Sequence, residues 1–195
     1  MGTLCSIPGK PPLLVQVFGQ RELESRLRQG GKVASHLISI VDPARFFEKR
    51  GEDQRIPQAF IPAFKRILRL SFADSQASND SFFYRRAPRL SDALCVIRFV
   101  KRTAAEADGY TVHCWRGVAR SSAVAFGILY LLRGSEEAAA SELMSIRHIA
   151  YPHRELLAHF DTLLGSRLAE ASGSLRDERL RAMRERIRDL AASRH

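Results

Sequence analysis

The chain has 195 residues, of which 45% are hydrophobic and 27% charged, and it carries a formal net charge of +10. That length suits one domain with at most an appendage, and the composition is that of an ordinary globular protein. The chain has no apolar run long enough to cross a bilayer, no secretory-type leader and no nucleic-acid motif around its basic residues, so neither a membrane span nor a nucleic-acid partner is expected.

In chain order, "PPLLVQVF" (11–18) reads as a first strand, and "QRELESRLRQG" (20–30) as a helix stopped by Gly30 and Gly31. "SHLISIVDP" (35–43) is a short apolar run closed by Asp-Pro, the pattern of a buried strand. Asp42 reads there as a turn residue. Pro57 and Pro62 break any long helix over 44–66, and "ILRLSF" (67–72) alternates as a third strand. A polar loop follows over 73–90. "SDALCVIRFVKRTAAEADG" (91–109) reads as an amphipathic helix between a Ser91 cap and a Gly109 stop.

"YTVHC" (110–114) is a fourth strand, and "RSSAVAFGILYLLRG" (120–134) a helix apolar on nearly every side. Two more helices are expected over 135–148, capped by Ser135, and over 152–165, with Pro152 in the first turn. Strands alternating with helices predict an α/β domain, a central and mostly parallel sheet flanked by helices. We take 1–168 as the domain and 169–195 as an Arg-rich helical tail, whose interleaved acidic residues suggest a solvated helix.

Three cysteines cannot all pair, and Cys5, Cys95 and Cys114 lack zinc spacing, so free thiols in a reducing, cytoplasmic setting are expected. Cys95 reads as buried and inert. His36, His148, His153, His159 and His195 share no metal spacing, and neither metal nor cofactor is expected. The opening "MGTLCS" fits the short myristoylation pattern through Gly2 and Ser6, with Cys5 as a palmitoylation candidate.

The stretch "VHCWRGVARSSAVA" (112–125) carries the chemistry. A strand ends at Cys114 and a helix begins near Arg120. The turn between them aims successive amides into one concavity at a helix N-terminus, where the dipole also favours an anion. Gly117 allows the curvature. A thiol in that field, beside a cation, ionises readily and becomes a nucleophile. Arg120 offers a planar fork to a tetrahedral anion. Thiolate below and guanidinium on the rim make an apparatus for attacking phosphorus.

"HCWRGVARS" resembles the His-Cys-x5-Arg-Ser signature of the cysteine-based tyrosine and dual-specificity phosphatases, and the chain is similar to their small bacterial group over most of 35–165. The resemblance implies that Cys114 is the nucleophile and forms phosphocysteine. It implies that Arg120 binds the phosphoryl oxygens, Ser121 supports the leaving thiolate, and His113 helps to hold the loop and the low pKa of Cys114. The amides of Trp115, Arg116, Gly117, Val118, Ala119 and Arg120 would cradle the phosphate, or a sulfate in its place. The family's general acid is an aspartate on a mobile loop ahead of the cysteine. Asp74 is favoured, Asp80 follows it, and Asp92 reads as a first-turn helix charge. The loop is long enough to act as a lid.

His153 and Arg154 stand where the family often borders its site, although a plain helix start explains them too. Arg147 reads as a surface residue. The implied substrate is a phosphorylated protein, phosphotyrosine first. The same signature serves inositol-phosphate phosphatases, and a phosphate-binding pseudoenzyme is the non-catalytic alternative. Rhodanese-type loops usually lack the Arg-Ser ending, and arsenate reductases carry their loop near the N-terminus.

Overall fold

The computed structural model describes residues 12–43, 55–74 and 86–174. Strand β1 (Leu14–Gly19) leads into helix α1 (Gln20–Arg28), then β2 (His36–Val41), a 3₁₀ helix (Gln58–Ala63) and β3 (Arg66–Ser71). Helix α2 (Leu90–Thr103) precedes β4 (Gly109–Cys114), and α3 (Arg120–Arg133), α4 (Glu136–Ile146) and α5 (Arg154–Leu164) follow. Residues 168–174 are helical as well.

The four strands form one sheet in the order β1-β4-β2-β3, and every pairing is parallel. Their C-terminal ends therefore share one edge, where open parallel sheets bind ligands. Strand β4 is interior, and all six of its residues are buried. Continuous burial along β2 and β4 is why these strands read as apolar runs rather than as alternating ones.

Side chains alternate between two layers. Leu37 turns toward α1 and the 3₁₀ helix, in a small core with Phe18, Leu23, Ile56 and Phe64. Ile38 and Ile40 join the larger core beneath α2–α5. Helix α3 is central to it, with residues 120–129 buried without interruption. Leu168 is fully buried, and Ala169 and Ala171 pack against this core, so it runs on past the expected boundary at 168. No helix among the described residues is long and apolar enough to cross a membrane. The opening "MGTLCS" and residues 175–195 lie outside the described residues.

Several local expectations need correction. Helix α2 is capped at Arg89, not Ser91, because the Asp92 carboxylate reaches back to the Arg89 amide at 2.8 Å. The same carboxylate takes Arg86 Nη2 at 2.8 Å, so Asp92 is a first-turn helix charge, as read. The helix ends at Thr103. Gly109 opens β4 instead, because a Cβ there would sit 2.2 Å from the Leu14 carbonyl oxygen. Pro152 precedes α5, whose cap is His153, with Nδ1 accepting from the Leu156 amide at 3.4 Å. Cys95 is exposed, one step off the α2 face that buries Ala93, Val96, Ile97 and Val100.

Candidate active site

The loop joining β4 to α3 lies at the C-terminal edge of the sheet, and its carbonyls all turn outward. Trp115 O accepts from the Gln20 amide at 3.2 Å, Val118 O from Tyr151 at 2.9 Å and Ala119 O from His153 at 3.2 Å. Gly117 O accepts from Arg147 Nε at 2.9 Å, and Arg116 O from Arg147 Nη2 at 3.5 Å. In a trans peptide the next amide points the opposite way. The N–H groups of residues 116–120 therefore face inward, as the Gly117 amide does by donating to Cys114 Sγ at 3.3 Å.

Gly117 has φ +69°, and a Cβ there would lie 2.3 Å from the Gly19 nitrogen and 2.5 Å from the Phe18 carbonyl carbon. Neither backbone atom can yield. Gly117→Ala is expected to lower stability by about 2 kcal/mol or more, since a strained backbone alone costs of order 1–3 kcal/mol. Thermal melts check this, and an unchanged midpoint would show that the loop has another conformation open to it.

Cys114 is almost fully buried at the base of this loop. Its Sγ lies 3.2 Å from Ser121 Oγ on the first turn of α3. The sulfur thus faces an amide, a hydroxyl and a helix N-terminus. Arg120 is 3% exposed. Its Nη1 donates to Asp42 Oδ1 at 2.7 Å and to Phe72 O at 2.8 Å, while its Nε is buried without a hydrogen-bond partner among the described residues. The guanidinium is braced from behind and keeps a donor to offer.

His113 belongs to β4, and its Nε2 shares a 2.8 Å hydrogen bond with Ser39 Oγ of the neighbouring β2. Burial, and then the positive charge of Arg120, push its pKa down to about 4. The imidazole is therefore neutral near pH 7 and supplies no cation to the thiol. Its support for the loop is the bond to Ser39. Above pH 6.5 His113 is neutral in both the folded and unfolded chain. Between 6.5 and about 4 only the unfolded chain takes up the proton, so stability falls as the pH drops through that window. The full loss is roughly 3 kcal/mol. Burial also lowers the pKa of His36, against the pull of Glu106, which adds a loss of the same sign. Urea unfolding between pH 7.5 and 4.5 checks this. His113→Gln should flatten the slope, and parallel slopes would contradict the assignment.

Two carboxylates follow the C-terminal ends of β2 and β3. Asp42, read from sequence as a turn residue, is buried and ion-paired to Arg120. It serves as an acceptor at the end of β2. Asp74 is exposed and lies two residues past Phe72, the residue whose carbonyl holds Arg120. The Ala73 amide donates to Arg86 O at 2.8 Å. Asp80 lies outside the described residues.

The search of family models and the search of curated proteins found no match. The solved structures did. Tk-PTP in its active form superposes with a TM-score of 0.52 at 18% identity, over 83% of this chain and 93% of that one. Human DUSP28 gives 0.52 at 18% identity, over 84% and 94%. DUSP15 gives 0.53 at 15% identity, over 89% and 96%. The fold is that of the tyrosine and dual-specificity phosphatases. In this phosphatase fold the candidate nucleophile, guanidinium and hydroxyl converge on one loop.

Three supporting residues escaped the sequence reading. Asp42 was signalled only by its place at the C-terminal end of a buried parallel strand. Arg147, read as a surface residue, spans from the loop carbonyls to Glu22, whose two oxygens it meets at 3.0 and 2.8 Å. Glu22 in turn accepts from the Gly19 amide at 3.2 Å. His153 meets the loop through its backbone. Arg154 is exposed on the first turn of α5, consistent with a plain helix start.

Proposed function

We propose that this chain is a metal-independent cysteine phosphatase that hydrolyses phosphate monoesters, protein phosphotyrosine first, through a phosphocysteine intermediate. The observation that carries this reading is the loop with outward carbonyls, which turns its amides toward Cys114 Sγ beside a braced Arg120. A phosphoryl group there would meet donors on its equatorial oxygens and a sulfur below.

In the first step Cys114 Sγ attacks phosphorus. The S–P bond forms, the ester P–O bond breaks, and the leaving oxygen takes a proton from the Asp74 carboxyl. In the second step Asp74 accepts a proton from water as the water oxygen attacks phosphorus. The S–P bond breaks, and inorganic phosphate leaves. Ser121 Oγ donates to the departing thiolate. Arg120 and the loop amides stabilise the charge on the transferring group in both steps. Braced donors need no reorganisation when that charge develops, which is where such sites gain most of their rate.

Hydrolysis of para-nitrophenyl phosphate in EDTA tests the reading. Turnover should persist in the chelator, and Asp74→Asn should lower kcat about 10²-fold or more. A near-normal rate in that variant would move the acid role to Asp80. Loss of wild-type activity in EDTA, restored by a divalent metal, would refute the metal-independent mechanism.

A further inference from the structure

A second concavity, of about 810 Å³, lies between α1, the 3₁₀ helix and the β2–β3 face of the sheet. It is on the face opposite the large helical core, and the phosphatase mechanism does not use it. Its lining mixes polar groups with the part-exposed aliphatic side chains of Ile61 and Ile67, which lie over the buried Leu37 and Ile56. Among the described residues its cationic groups are three exposed arginines, Arg21 of α1, Arg55 ahead of the 3₁₀ helix and Arg69 of β3. The one carboxylate in the lining among the described residues, Glu24, is held by Gln20 Nε2 at 2.9 Å and Arg28 at 3.5 Å.

The inner end of the groove reaches the candidate active site. Trp115, which directly follows Cys114, lines it, and the Arg21 guanidinium lies 6.0 Å from the centre of the indole. Ser39 lines it too and holds His113, the residue before Cys114. The groove, part aliphatic and part basic, therefore begins beside the candidate loop.

The volume is that of a site for several side chains rather than for one ion. The mix of walls narrows the occupant. A polyol phosphate would leave the aliphatic side chains unused, and a flat bilayer surface cannot fill a concavity. An extended peptide presents successive side chains to opposite sides. Aliphatic residues can then face the aliphatic part of the lining while alternate carboxylates meet the guanidinium groups. We propose that this groove recognises an acidic, aliphatic segment flanking the phosphoresidue of a protein substrate. The inference rests on the phosphatase reading and gives it a substrate class.

The test compares three substrates: a phosphotyrosine peptide flanked by alternating Glu and Leu, its Gln and Leu counterpart, and para-nitrophenyl phosphate. The acidic peptide should exceed the neutral one in kcat/KM by about tenfold, mainly through KM, and high salt should erode the advantage. The double variant Arg55→Gln/Arg69→Gln should remove most of that difference, each exposed ion pair contributing at most about a factor of five, and should leave para-nitrophenyl phosphate within about twofold. Equal rates on the two peptides in the wild type would overturn the proposal. So would a variant that slows para-nitrophenyl phosphate in proportion. Loss of binding to anionic-lipid vesicles, with peptide preference intact, would overturn it in favour of a membrane surface.

If the wild type hydrolyses none of the three, the phosphatase reading fails on its own. The groove is still decided by the fluorescence of Trp115, the lone tryptophan. A saturable change with the unphosphorylated acidic peptide, absent from the double variant, upholds it. No change overturns it.

Discussion

Cys114→Ser is expected to reduce turnover of para-nitrophenyl phosphate by roughly five orders of magnitude or more, as loss of a covalent nucleophile does. The cause lies in one atom. A serine hydroxyl at that position meets the same Gly117 amide and Ser121 hydroxyl, but it holds its proton far more tightly than a thiol does. Phosphate binding should survive, because the loop carbonyls remain anchored by Gln20, Tyr151, His153 and Arg147, and the amides remain turned inward. Calorimetric titration with inorganic phosphate checks this half. Lost binding together with lost activity would mean that the sulfur builds the loop instead of performing the chemistry.

Arg120→Lys is expected to lower kcat by about 10²- to 10³-fold, the usual cost of removing one aligned donor from a charge-stabilising site. Lysine keeps the charge but not the fork. Arg120 uses one nitrogen, Nη1, for both Asp42 and Phe72 O, leaving Nε for an anion. A single ammonium cannot brace itself against β2 and β3 and also grip a phosphoryl group from the side. The change also takes the guanidinium fork away from the buried Asp42 carboxylate, and breaking a buried pair costs about 3–5 kcal/mol. The double variant Asp42→Asn/Arg120→Lys separates the two effects. It should regain most of the lost stability and little of the lost rate. Recovered rate would show that Arg120→Lys failed through misfolding. Steady-state kinetics alongside urea unfolding provide both readouts.

What the sequence revealed follows from how locally each feature is encoded. The strand, loop and helix around Cys114 were legible because nucleophile, glycine, arginine and serine lie within eight residues of one another. Strands β2 and β4 were legible because an interior parallel strand must be apolar on both faces. Asp42 was not, because its partner lies 78 positions away and only the packing of β2 beside β4 brings the two together. Arg147 and Glu22, 125 positions apart, escaped for the same reason. The capping errors have a different origin. Ser91 and Pro152 have the right chemistry for a helix start, but Asp92 reached the Arg89 amide first and the Ala119 carbonyl fixed the chain at His153. A local capping contact moved the first boundary and a tertiary contact the second, by one or two residues each.

The most direct test of the account is to trap the intermediate. The protein is mixed with excess para-nitrophenyl phosphate, quenched in acid within the first turnovers, digested and weighed by mass spectrometry. The account predicts one added phosphoryl group on the peptide that contains Cys114, at near-stoichiometric level when the second step is slow, and none in Cys114→Ser. Brisk turnover with no phosphorylated Cys114 at any quench time, or phosphate on another residue, would contradict it.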